Sequence, residues 1–83
     1  MIKLTIITPD KSVFDGTVTA VTVPGTAGSF QVLVNHAPIV SSLDEGKVII
    51  RTGNNEEVLL ISGGVVEVID NHVTVLAEGI LSV

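Results

Sequence analysis

With 83 residues, no cysteine and a formal net charge of −5, the chain has room for one folded domain and for no disulfide. Its four basic residues, Lys3, Lys11, Lys47 and Arg51, are scattered, and aromatic residues make up 2 % of the chain. Neither a counterion-releasing stripe nor a base-stacking platform for nucleic acid can be built from these.

A chain this short buries roughly 60 % of its extended surface and is stable by roughly 4–12 kcal/mol, which leaves little free energy for strained loops or buried charge. The lack of thiols is compatible with a reducing compartment. The opening Met1-Ile2-Lys3-Leu4-Thr5 has no signal-peptide architecture. No apolar run approaches the roughly 20 residues that span a bilayer, so membrane association is expected only through a partner. Val, Ile and Thr supply nearly two-fifths of the residues. These β-branched side chains suit a pleated, half-buried surface, so the composition predicts an all-β fold with an aliphatic core.

In chain order, a first strand is predicted over Ile2 to Ile7, stopped by Thr8-Pro9-Asp10. A second is predicted over Thr17 to Val23, with Gly16 as a turn or bulge residue before it and Pro24-Gly25 after it. The segment Pro24-Gly25-Thr26-Ala27-Gly28-Ser29 is expected to be a long irregular loop. It lacks the Gly-Lys-Ser/Thr ending of a phosphate loop. Phe30 to Val34 and Ile39 to Leu43 follow as short strands. Val32, His36 and Ile39 have helical spacing, but Asn35 and Pro38 interrupt any helix there. Lys47 to Thr52 and Glu56 to Ile61 are predicted to pair across the three-residue loop Gly53-Asn54-Asn55. Val65 to Ile69 and His72 to Ala77 are predicted to pair across Asp70-Asn71, whose residues tolerate positive φ. Val66 and Val68 then share one face and Glu67 takes the other. Many short strands with tight turns imply a sandwich or barrel, since an open sheet would leave one apolar face in water.

The chemistry-bearing residues do not form a catalytic pattern. His36 and His72 cannot by themselves supply the three or four clustered ligands that zinc or non-haem iron requires, and no cofactor is expected. Ser41 and Ser42 near His36 match no nucleophile elbow. Asp44-Glu45 and Glu56-Glu57 are adjacent strand residues that point apart, so neither pair can flank a scissile bond. Asp10-Lys11-Ser12 contains the Asp-Lys dipeptide of a lipoyl-type carrier domain, but near the N-terminus rather than mid-chain. A carrier domain and a generic β-sandwich interaction module remain the alternatives.

Four segments resemble, in order, the N-terminal domain of the ATP synthase epsilon subunit family. They are Leu4-Thr5-Ile6-Ile7-Thr8-Pro9-Asp10-Lys11 with Val13-Phe14-Asp15-Gly16, then Val23-Pro24-Gly25-Thr26-Ala27-Gly28-Ser29-Phe30. The third is Asn35-His36-Ala37-Pro38-Ile39-Val40, and the fourth Leu59-Leu60-Ile61-Ser62-Gly63-Gly64-Val65-Val66-Glu67-Val68, with Asn71 to Ala77 behind it. The resemblance implies a flattened ten-strand β-sandwich of two sheets over residues 1–83. It also implies a non-catalytic role in the central stalk, coupling the c-ring to the gamma subunit during proton-driven ATP synthesis. The expected location is peripheral, on the cytoplasmic face of the bacterial inner membrane, as a monomer in isolation and one copy per complex. Carried over position by position, Thr26, Ala27, Gly28, Ser29 and His36 are expected to face the c-ring. His36, Ala37, Pro38, Val40 and Ser41 are expected to face gamma. Ser29 stands where many relatives carry Glu, and Val34-Asn35 where Pro-Gly commonly precedes the His. The family's C-terminal helical hairpin would begin at Glu78-Gly79-Ile80-Leu81-Ser82-Val83. The expectation is a naturally short chain without that inhibitory hairpin or its nucleotide site.

Overall fold

The computed structural model describes residues 1–82, in which every regular element is a strand and none is a helix. Val83, the last residue of the predicted 1–83 domain, lies outside the described residues. Ten strands follow one another: β1 (Ile2–Ile7), β2 (Ser12–Val18), β3 (Ala20–Gly25), β4 (Gly28–Val32), β5 (Ile39–Leu43), β6 (Gly46–Thr52), β7 (Asn55–Ile61), β8 (Gly64–Ile69), β9 (His72–Ala77) and β10 (Ile80–Ser82).

The period of two decides which side of each strand is dry. Ile2, Leu4 and Ile6 are buried while Lys3, Thr5 and Ile7 face outward, and Val73, Val75 and Ala77 alternate in the same way. Val66 and Val68 lie inside and Glu67 outside, as their alternation predicts. The other half of the molecule contributes Val21, Val23, Val32, Val48, Ile50, Leu59 and Ile61 to the same core. No polar or charged side chain is buried among the described residues.

The hydrogen-bonded order is β10-β7-β6-β3-β5-β8-β9-β1-β2, with β4 on the side of β3. The sheet curls into two facing layers, β5-β8-β9-β1-β2 and β4 with β3-β6-β7-β10, within 27 × 25 × 20 Å. Their seam is narrow. Only Gly25 and Leu43 pair between β3 and β5. Two further bonds flank the pair, from Thr26 N–H to Ser42 O (3.1 Å) and from Asp44 N–H to Pro24 O (2.8 Å). This is the sandwich of two sheets that the sequence predicts, its layers stitched at one corner. β1 pairs antiparallel to its sequence neighbour β2 and parallel to β9, so the N-terminal strand is inserted beside a segment far away in sequence.

Several boundaries differ from the sequence reading, each for a tertiary reason. Gly16 lies mid-strand opposite Leu4, because β1 supplies a ladder along all of Ser12–Val18. The break falls instead at Thr19, whose N–H and hydroxyl both donate to Arg51 O (2.8 and 2.9 Å). Pro24-Gly25 continues β3, and the expected irregular loop is a tight hairpin with Gly25 opposite Gly28 and only Thr26-Ala27 between. Thr52 pairs with Asn55, so the next hairpin has two loop residues, Gly53-Asn54, rather than three. β4 begins and ends two residues earlier than predicted, leaving Leu33 and Val34 exposed. β10 carries no local signal. It exists because β7 offers it an edge.

Gly64 is wedged between β5 and β9 with φ +153. A Cβ there would overlap the Leu76 carbonyl oxygen and lie 3.0 Å from Ala77 Cα. Gly28 has φ +130 but no atom within 4 Å of the same point. Gly28→Ala is therefore expected to lose about 1–2 kcal/mol of stability from backbone strain alone, and Gly64→Ala about 3 kcal/mol or more from strain plus overlap. Urea denaturation of the two variants compares them, and equal losses would remove crowding as the cause at Gly64.

Candidate functional site

The residues singled out by sequence fall on two neighbouring loops and on the strands that adjoin them, β4 and β5. Thr26 and Ala27 form the tip of the β3–β4 hairpin, Gly28 and Ser29 begin β4, and all four are exposed. The tip is anchored to the seam by the bond from Thr26 N–H to Ser42 O. Its shape follows from Gly28, whose positive φ turns the chain back within two residues.

The second loop, residues 33–38, connects β4 to β5 and belongs to no strand ladder. His36 N–H donates to Leu33 O (3.1 Å), closing a turn in which Asn35 takes φ 67. Asn35 is tied in turn to Asn71 in the β8–β9 turn. The His36 Nδ1 lies 2.7 Å from the Ala37 carbonyl oxygen. A carbonyl only accepts, so Nδ1 carries the proton, and Nε2 is the nitrogen left for another partner.

One aromatic residue joins the two loops. The ring centroid of Phe30 lies 6.3 Å from that of His36, tilted by 32°. The same ring closes on Gly25 at the base of the hairpin, where an added Cβ would lie 2.9 Å from it. His36 is thus held near the hairpin that carries Thr26 to Ser29. Val40 and Ser41 are separated by the strand period: Val40 faces outward opposite Glu67, whereas Ser41 is half-buried opposite Val66. Ser41 spends its hydroxyl on the Ser42 carbonyl (3.1 Å).

Beside Pro38 and Val40, which the motifs named, the structure places Ile69, which they did not. Pro38, Ile39 and Val40 line a groove with Glu67, Val68 and Ile69. Val40 is 69 % exposed, Leu33 52 % and Ile69 49 %. A larger groove lies elsewhere, between the end of β1 and the β8–β9 pair, lined by Ile7, Pro9, Val65 and Leu76 with Thr8 and Glu78. Aliphatic residues at outward strand positions are the sequence signal for both. Sequence shows that such residues are apolar, but it does not say which of them adjoin.

The remaining chemical candidates stay apart. No three His, Cys, Asp or Glu side chains cluster to hold a metal among the described residues. His72 begins β9, with Nε2 a long 3.5 Å from Thr5 Oγ1. Glu56 accepts from Arg51 (2.8 Å) across the β6–β7 hairpin. Lys11 is exposed in the β1–β2 turn, which is closed by Thr8 N–H donating to Lys11 O (2.9 Å).

Comparison with known proteins supplies the family. Residues 1–83 match the family described as ATP synthase, Delta/Epsilon chain, beta-sandwich domain. The chain belongs to that family. It is 43 % identical over 77 residues to an ATP synthase epsilon chain of Alkalihalophilus pseudofirmus, covering 93 % of this chain and 58 % of that one. An epsilon chain of Leptospira interrogans is 40 % identical over 77 residues, covering 93 % and 61 %. The chain therefore spans about three-fifths of the length of these epsilon-family relatives. Among solved structures, a chain of the Euglena gracilis mitochondrial ATP synthase (OSCP/F1/c-ring) superposes with TM-score 0.91 at 26 % identity, covering 98 % of this chain and 52 % of that one. A chain of the Tetrahymena thermophila mitochondrial ATP synthase central stalk and c-ring shares the fold, with TM-score 0.81 at 24 % identity, covering 98 % and 66 %. The lipoyl-type alternative raised on Asp10-Lys11-Ser12 gains no support from these matches.

Phe30 is the residue whose loss tests the coupling of the two loops. Phe30→Ala is expected to cost about 2–3 kcal/mol, below a fully buried Phe because the ring is half-exposed. It is also expected to speed hydrogen exchange at both the Thr26 and the His36 amides. Acceleration at only one of them would show that the loops are held independently.

Proposed function

We propose that the chain is the β-sandwich domain of an epsilon subunit, working without chemistry of its own in the rotor of an F-type ATP synthase. The observation that carries this reading is the exposed apolar surface around His36-Ala37-Pro38, with Leu33, Val40 and Ile69 open to solvent, in a chain of this family. Exposed aliphatic residues gathered around a fixed loop are what a protein contact requires. The family match and the likeness to chains in ATP synthase assemblies support a contact within such an assembly.

In this reading residues 1–83 act as one unit at the foot of the central stalk. Thr26, Ala27, Gly28 and Ser29, with His36, meet the polar loops of the c-ring. His36, Ala37, Pro38 and Val40, with Ser41 behind them, meet the gamma subunit. The hairpin tip suits close approach because Ala27 and Gly28 carry almost no side chain. The groove beside Val40 suits an aliphatic or aromatic side chain of the partner, with Glu67 on its rim. Torque then passes through a body whose interior is close-packed aliphatic side chain, which resists shear because it has no void to deform into. Membrane attachment, at the cytoplasmic face in a bacterium, comes through the ring. Proton flow drives the ring, and this domain couples it to the shaft.

The test is co-purification with the gamma subunit and c-ring of the same organism. Wild type is expected to be captured stoichiometrically, while the double variant His36→Glu/Ala27→Glu stays folded and is lost. Val40→Asp, at an exposed position, is expected to change stability by no more than about 0.5 kcal/mol and to weaken capture about tenfold or more. Failure of wild type to bind either partner would reject the rotor reading and leave a generic interaction module.

A further inference from the structure

We propose that Asn35 and Asn71 form a clamp that positions the His36-Ala37-Pro38 loop for its partner, an assignment that rests on the contact reading above. The loop between β4 and β5 has no ladder of its own, and its bonds at His36 are to immediate neighbours. From elsewhere in the chain, the Phe30 ring and Asn71 reach it. Asn35 N–H donates to Asn71 Oδ1 at 2.6 Å, and Asn71 Nδ2 donates back to Asn35 Oδ1 at 3.1 Å. The donors set both amide orientations. A backbone N–H must face the oxygen of Asn71, which turns its nitrogen toward Asn35, and only an oxygen there can accept.

Asn71 is itself fixed to the body of the sandwich. It lies in the two-residue β8–β9 turn with φ 60, after Asp70 at φ 49, and its carbonyl accepts from Lys3 N–H at 2.9 Å. β1 and the β8–β9 hairpin therefore hold one half of the clamp, and the loop hangs from the other. Both residues adopt positive φ, at 67 and 60. Glycine meets that backbone demand, and asparagine is the side chain that meets it most readily. Asparagine at both positions supplies something glycine cannot, which is the pair of reciprocal amide bonds across 36 residues of sequence. With the loop held from Asn71 on one side and from Phe30 on the other, His36 presents a fixed orientation, and binding need not order it.

Three variants separate the clamp from a merely structural role. Asn71→Gly keeps the turn and deletes both bonds. Asn71→Asp keeps an acceptor for Asn35 N–H and, with the Asn35 amide turned over, accepts from its Nδ2. Asn35→Asp tolerates the backbone and still accepts from Asn71 Nδ2. Hydrogen exchange at the Asn35 amide and capture by the gamma–c-ring subcomplex are measured for each. Asn71→Gly is expected to speed Asn35 exchange about tenfold and to weaken capture about three- to tenfold, with Asn71→Asp and Asn35→Asp near wild type. Exchange at Val66 and Val75 in the core is expected to be unchanged in all three. Wild-type exchange or capture in Asn71→Gly would overturn the clamp and leave the partner reading standing. So would equal losses in Asn35→Asp and Asn71→Gly, or core exchange rising in step with Asn35. Failure of wild type to be captured would overturn the partner reading first and this role with it.

Discussion

Everything in this molecule depends on a dry layer of branched aliphatic side chains between two curved sheets. Among the described residues, the eighteen buried hydrophobic ones are sixteen Val, Ile or Leu and two Ala, and no buried polar side chain interrupts them. Such a layer has no hydrogen bonds to specify its arrangement. Specificity comes from shape and from the alternation that sends each aliphatic residue inward. It follows that no functional group can be interior, and whatever the chain does is done on its outside.

The two sheets would slide over one another if nothing fixed their relative position. Gly25, Leu43 and the bonds from Thr26 and Asp44 fix it at one corner. At the far side β2 turns Val13 and Phe14 partly inward against the core. The seam does double duty, because the Thr26 bond that stitches the layers also sets the hairpin tip. The proposed contact surface is thereby attached to the connection between the two layers. For a domain proposed to carry torque, that places the load on main-chain hydrogen bonds rather than on mobile side chains.

Three kinds of residue then tune the surface. Residues at positive φ, Gly28, Asn35, Asp70 and Asn71, turn the chain sharply enough to bring the hairpin tip, the His36 loop and the β8–β9 turn into place. Phe30 and the asparagine pair connect these loops. Outward aliphatic residues such as Val40 and Ile69 give the surface something to bind with. The exposed ion pairs, Lys3 with Asp15 and Arg51 with Glu56, contribute little to stability.

Composition and period two were enough to determine the all-β class, the aliphatic core, the inward face of β8, and the Asp70-Asn71 hairpin. Each rests on residues close in sequence, where the local preference and the final environment agree. The family likeness, carried by four motifs in order, was legible for the same reason. The parallel pairing of β1 with β9, the strand through Gly16, the continuation of β3 through Pro24-Gly25 and the existence of β10 were not. Each of these is decided by a distant neighbour whose edge supplies hydrogen bonds that local propensity cannot anticipate. Likewise His36 and the Thr26 to Ser29 tip could be named from motifs, but their connection through Phe30 and the Asn35–Asn71 pair could not. Contacts across 36 residues exist only after the two layers have closed, and it is that closure, not any local motif, that decides which side chains meet.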